Sequence, residues 1–261
     1  MRETPDPIPE QQSVRFAVLG SLECRSDAGR IRLGGRLQER VLVALLLEPG
    51  RVVSVGRLVE AAWEQRPPAT AVHQIRKSVA ELRRRLPGGP RLLRTEAPGY
   101  RAVVGEDRLD LLRFRARLRD AREESAAGRP ERAAEQLRAA LALWRGDPLS
   151  CAGSRLLEAA AAGLQERRLQ ATEQLCALRL ELGDTDGLVG DLRELVAAHP
   201  LRETLRGQLM RALYLTGRPA EALAEFASVR AYLAEELGVG PSQELVRIHT
   251  DILCRRPVPA G

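Results

Sequence analysis

A chain of 261 residues, 44% hydrophobic and 29% charged, is long enough for one large domain or two ordinary ones. It contains no apolar run near the roughly 20 residues of a bilayer span, and its polar start, MRETPDPIPEQQS, lacks a secretory apolar stretch, so the composition points to the cytoplasm. The net charge of +6 is uneven: residues 13–105 carry 17 basic against 8 acidic side chains, whereas residues 106–261 carry 23 against 24. A basic first block beside a near-neutral second one points to a polyanion-binding module joined to a module with another task.

In chain order, VRFAVLGSLEC (from Val14 to Cys24) predicts two strands around a turn at Gly20-Ser21, and Gly29 to Leu33 a third. Arg36 to Glu48 carries apolar residues at helical spacing and stops at Pro49-Gly50. Arg51-Val52-Val53 is extended. Ser54 stands where an N-cap belongs, ahead of a helix through Leu58, Ala61, Ala62 and Trp63 that Pro67-Pro68 ends. From Thr70 to Leu86, Val72, Ile75, Val79, Leu82 and Leu86 fall on one predicted buried arc, while Thr70, His73, Gln74, Lys77, Glu81 and Arg84 lie opposite, with Arg76 and Arg83 on a flank. Arg91 to Thr95 and Tyr100 to Val104 then flank the turn Glu96-Ala97-Pro98-Gly99, a hairpin with basic residues near its tip.

Strands, three helices and a hairpin in that order predict a winged helix-turn-helix whose Thr70–Leu86 helix enters the major groove. Gln74, Arg76 and Lys77 are the first candidates for base edges, because arginine and lysine suit guanine and glutamine suits adenine; phosphate contact is the alternative for each. Thr70 and His73 stand beside them. Arg83 and Arg84, further along, and Arg94, Thr95 and Arg101 in the wing are expected at the DNA backbone. Tyr100 is expected to pack inside the wing, and Glu81 to pair with Lys77 or Arg85 four residues away.

The second block is helical. Glycine, a short turn and an alanine-rich helix recur at Gly128, Gly183 and Gly217, the last two 34 residues apart, which is the tetratricopeptide period. Five positions after each glycine stand Ala133, Leu188 and Ala222, and nine after, Leu137, Leu192 and Phe226. An array of such helix pairs presents a curved surface that binds other proteins. The predicted fold class is thus mostly α, with an α+β winged helix over 14–105, tetratricopeptide-like helices over 106–256, and tails at 1–13 and 257–261. Trp63 and Trp144 end apolar stripes and are expected in the core, as are Cys151 and Cys176. There is no Walker loop, GxSxG, CxxC or metal-ligand cluster, so neither an enzyme nor a cofactor is expected.

The stretches RVVSVGRLVEAAW, PPAT, PGYR, LDLLRFRARL, AALALWRGDPL, HPLRETLRGQLMRALYLTGRPAEAL and LAEELGVGPSQEL resemble the Streptomyces antibiotic regulatory proteins over nearly the whole chain. In that family an OmpR-type winged helix is fused to a bacterial transcriptional activation domain. The resemblance implies binding to direct repeats near the −35 element of biosynthetic-cluster promoters, with two protomers side by side and contacts to RNA polymerase, including its sigma subunit. It also implies that Gln65 and Arg66, in the loop before the reading helix, face polymerase, and that the chain is a short member lacking the ATPase and sensor modules of larger relatives. The reading helix departs from the family's T-L-Q-x-Y-V-S-x-L-R: Arg76 replaces the glutamine and Ser78 the aromatic, so the relatives' base preference is not carried over. The competing readings are a repressor with the same DNA-binding mode, and a helical adaptor whose winged helix binds no DNA.

Overall fold

The structure, a computed structural model, describes residues 14–63, 67–149 and 153–256. Gln65, Arg66, Cys151 and both tails lie outside the described residues.

β1 (Arg15–Ala17), β2 (Glu23–Ser26) and β3 (Gly29–Arg30) form an antiparallel sheet in chain order, with Phe16 opposite Cys24. α1 (Arg36–Leu47) buries every residue from Val41 to Leu46, which makes it the central helix of the N-terminal core. β4 (Val52–Ser54) leads into α2 (Val55–Ala62), where the Ser54 hydroxyl accepts the Arg57 backbone N–H at 3.2 Å as the sequence predicts. α3 (Ala71–Arg85) packs Ile75, Val79 and Leu82 against α1 and α2.

The hairpin differs from expectation at its start. Residues 89–92 coil into a short turn, α4 (Gly89–Leu92), before β5 (Leu93–Glu96) and β6 (Gly99–Ala102). Gly88 turns the chain at φ 66°, and Gly89 lies so close to α3 that a Cβ there would fall 2.2 Å from the Arg83 carbonyl oxygen. β6 runs between β4 and β5, pairing antiparallel with both. Gly99 faces Ser54 across that pairing, and a Cβ on it would meet the Val53 carbonyl oxygen at 1.9 Å, so only glycine lets β6 lie this close to β4.

The chain divides into two compact units that do not follow a simple cut at residue 105. The first joins residues 1–117 to residues 140–168. Its extra pieces are fastened by polar bonds. At the start of α5 (Asp110–Ala126), the buried Asp110 carboxylate accepts the Val18 N–H at 2.8 Å and the Leu19 N–H at 3.0 Å. Further on, the Arg145 N–H donates to Leu19 O at 2.9 Å and the Arg145 side chain donates to Ser21 O at 3.0 Å. Trp144, buried as expected, meets Phe114 edge-on at 5.4 Å, whereas Trp63 is only half-buried. The fully buried Ser154 hydroxyl donates to Ala61 O at 2.9 Å, just ahead of α7 (Arg155–Glu181).

The second unit comprises residues 118–139 and 169–261. It holds α6 (Pro130–Leu141) up to Ala139, the later half of α7, and α8 (Leu188–Ala198), α9 (Glu203–Leu215), α10 (Pro219–Leu237) and α11 (Gln243–Leu253). The repeat read from sequence recurs in the backbone. Gly128, Gly183 and Gly217 all adopt positive φ, and the following N–H of Arg129, Asp184 and Arg218 closes back to Glu124, Arg179 and Leu213. Ala133, Leu137, Leu188, Leu192, Ala222 and Phe226, at equivalent positions, are all buried. α9 is enclosed from Leu205 to Leu213, and its buried polar side chains are compensated in part: Arg206 pairs with Glu225, Arg211 with Glu244, and the Gln208 amide N–H donates to Glu173 O at 2.8 Å, while the Gln208 Oε1 atom meets no donor among the described residues.

Candidate nucleic-acid interface

The candidate interface is the outward side of α3 with the neighbouring hairpin. One side of the helix is committed to the core; Ser78, where the family carries an aromatic, joins that buried side. His73, Arg76, Lys77, Ala80 and Arg84 form an exposed stripe at helical spacing on the other. The side chains of His73, Arg76 and Lys77 have no hydrogen-bond or ion-pair partner among the described residues, so three donors stand ready for an outside acceptor.

The remaining predicted residues are placed differently. Gln74 is half-buried and its amide donates to the Thr70 hydroxyl at 3.0 Å, which occupies part of the pattern an adenine contact needs. Arg83 turns inward: its Nε donates to Leu93 O at 2.8 Å, its Nη2 to the Thr95 hydroxyl at 2.7 Å, and its guanidinium lies over the ring of the buried Tyr100. The sequence places Arg83 and Thr95 at the DNA backbone; the structure bonds them to each other, because Arg83 sits on the flank of α3 that the hairpin covers. Arg101 is tied to Glu96 on the same strand pair, leaving Arg94, its cross-strand neighbour, as the exposed, unpaired cation of the wing strands among the described residues. Glu81 pairs with Arg84 and with Arg85, the latter at 2.7 Å, rather than with Lys77. These bonds hold its carboxyl below the usual range and leave Lys77 outward.

Val72 corrects a further expectation. Its bearing is at the rim of the predicted buried arc, yet at the first turn of α3 it is 45% exposed. An exposed apolar side chain beside His73 and Arg76 has the chemistry to meet a thymine methyl, and the sequence does not reveal this exposure because periodicity assigns Val72 to the core.

Among the described residues, no helix is long and apolar enough to cross a membrane, and no group of three metal-ligating side chains comes together. Residues 31–102 match the family described as transcriptional regulatory protein, C terminal, and residues 109–253 match the bacterial transcriptional activator domain. The chain is 38% identical over 252 residues to the regulatory protein AfsR of Streptomyces griseus, covering 97% of this chain and 26% of that protein. It is 35% identical to the transcriptional regulator RedD of Streptomyces coelicolor, covering 94% of this chain and 72% of RedD. The solved structure of Mycobacterium tuberculosis EmbR in complex with a low affinity phosphopeptide superposes with a TM-score of 0.91 at 32% identity, covering 95% of this chain and 67% of that one. The chain thus spans about a quarter of the length of AfsR. With an OmpR-type winged helix followed by an activator domain, and with these relatives along almost its full length, the chain belongs to the Streptomyces antibiotic regulatory protein family.

Proposed function

We propose that this protein is a sequence-specific DNA-binding activator, acting in the cytoplasm, that brings RNA polymerase to promoters of a biosynthetic gene cluster. The observation that carries the reading is the trio His73, Arg76 and Lys77, unpartnered among the described residues, on the exposed face of a helix whose other face is fixed in the core. In this mechanism α3 lies in the major groove, Arg76 and Lys77 contact base edges or the adjoining phosphates, and Arg84 and Arg94 hold the backbone. Two protomers occupy a direct repeat beside the −35 element. The helical repeats supply the protein-binding surface for polymerase or for the second protomer, and the loop containing Gln65 and Arg66 adds a polymerase contact.

The test is footprinting, with and without polymerase, on the promoters flanking the protein's own gene. Protection of a repeated element beside −35, extended by polymerase and lost in an Arg76→Ala, Lys77→Ala variant, is the expected result. Protection that covers the start site and excludes polymerase reverses the sign to repression. Absence of specific protection at moderate salt overturns DNA reading altogether.

A further inference from the structure

A cavity of about 500 Å³ lies within the first compact unit, walled by α1, α2, α5 and the first half of α7. Its floor is apolar, formed by Ala44, Leu47, Ala160 and Leu164. Its rim is cationic. Arg57 is neutralised by Glu48 at 2.8 Å, but Arg115 and Arg167 have no carboxylate partner among the described residues. The half-buried Arg115 makes one long bond, 3.4 Å, to Leu47 O at the end of α1. Burial, followed by repulsion from Arg167 and Arg51, pulls its guanidinium below the ordinary range.

This arrangement contrasts with the second unit, where Arg202, Arg206 and Arg211 each meet a glutamate: Glu173, Glu225 and Glu244. A partly desolvated cation that faces other cations over an apolar floor is short of an anion. The lining itself indicates which anion fits, because a bare inorganic ion would leave the alanine and leucine floor wet.

We propose that this cavity binds a small amphipathic organic anion, with a carboxylate held by the guanidinium groups of Arg115 and Arg167 and a hydrocarbon or aromatic body lying on Ala44, Leu47, Ala160 and Leu164. Two arginines suit a planar carboxylate because their forked donors match its two oxygens. The volume is in the ordinary range for small-molecule sites. A ligand seated there bridges α1 and α2 of the winged helix to α5 and α7 within one compact unit, so its binding raises the thermal stability of that unit. The proposal does not rest on DNA reading, since none of the lining residues belongs to α3 or the wing hairpin.

The test is calorimetric titration of the full chain, below micellar concentration, with decanoate, decanol and inorganic phosphate, together with thermal midpoints. The expected result is one decanoate site per chain that raises the midpoint, with decanol and phosphate at least roughly tenfold weaker. Arg167→Gln, at an exposed position that the fold does not need, weakens decanoate by about tenfold, and Ala160→Leu blocks it by filling the floor. Equal binding of decanol shows only an apolar patch and overturns the proposal. Equal binding of phosphate reduces the site to a cationic surface and overturns it as well, as does decanoate affinity unchanged in both variants.

Discussion

The Arg83 guanidinium donates to the Thr95 hydroxyl at 2.7 Å, so α3 and the wing hairpin are joined by a side-chain bond as well as by the chain between them. The same side chain bonds Leu93 O and lies over Tyr100. Arg83 and its neighbour Arg84 should therefore behave differently when removed. Arg83→Ala is expected to cost about 1–2 kcal/mol of stability and to weaken DNA binding with little change in its salt dependence. Arg84→Ala, at an exposed side chain, should leave stability within about 0.5 kcal/mol and lower the slope of log K against log salt by about 0.9. Denaturant melts with binding isotherms at several salt concentrations separate the two; equal slopes for both variants would remove Arg84 from the DNA backbone.

Val72 supplies a prediction about bases. Substituting deoxyuridine for thymine removes only the 5-methyl group, and loss of one buried methyl is worth about 0.8 kcal/mol, or roughly fourfold in affinity. On a binding site selected from random DNA, one thymine position should show that loss with the wild-type protein and lose its sensitivity in Val72→Ala. Retained sensitivity in the variant assigns the methyl contact to another side chain.

Much of this architecture is legible in the sequence, and the exceptions have a common cause. Short-range signals succeeded: the Ser54 cap, the three left-handed glycines and the apolar spacing of Ile75, Val79 and Leu82 depend on neighbours within a turn or two. What the sequence does not show depends on how separate elements cover one another. The bonds of Arg83 to Leu93 and Thr95 arise only because the hairpin covers its flank, and Val72 looks buried until the first turn of α3 proves uncovered. Asp110 carries no local signal, since its partners Val18 and Leu19 lie about ninety residues earlier. The same holds for the cavity, whose lining comes from four separated helices.

Asp110 yields a stability prediction. Its carboxylate satisfies two buried backbone N–H groups, and truncation leaves both without an acceptor. Asp110→Ala should cost about 2–4 kcal/mol, and Asp110→Asn less, because one carbonyl oxygen remains able to accept. Urea denaturation at neutral pH measures both. A loss below about 1 kcal/mol for the alanine variant would mean that the β1 end is held by packing alone.

The described cysteines should differ sharply in reactivity. Burial pushes the Cys24 thiol up to about 12 and the Cys176 thiol up to about 11, so neither forms appreciable thiolate near neutrality. Cys254 is exposed at the end of α11. In native protein at pH 8, a maleimide followed by peptide mapping should label Cys254 within minutes, with Cys24 and Cys176 labelled only on unfolding. Rapid native labelling of Cys24 would show that the β1–β2 sheet opens readily.

His249 sets a pH dependence in the second unit. Its imidazole stacks on Phe226 at 3.9 Å between centroids, and burial, followed by the nearby Arg230, holds its pKa below the ordinary 6.5. Well above 6.5 the ring is neutral in both folded and unfolded chains, and its contribution to stability is fully present. As the pH falls from there through the lower folded value, the unfolded chain takes up the proton first and stability declines. Chemical denaturation at steps from pH 7.5 to 5 should therefore show a loss in wild type that is smaller in His249→Phe, which keeps an aromatic ring against Phe226 without a titratable group. Identical pH slopes for the two proteins would assign the acid sensitivity to groups other than His249.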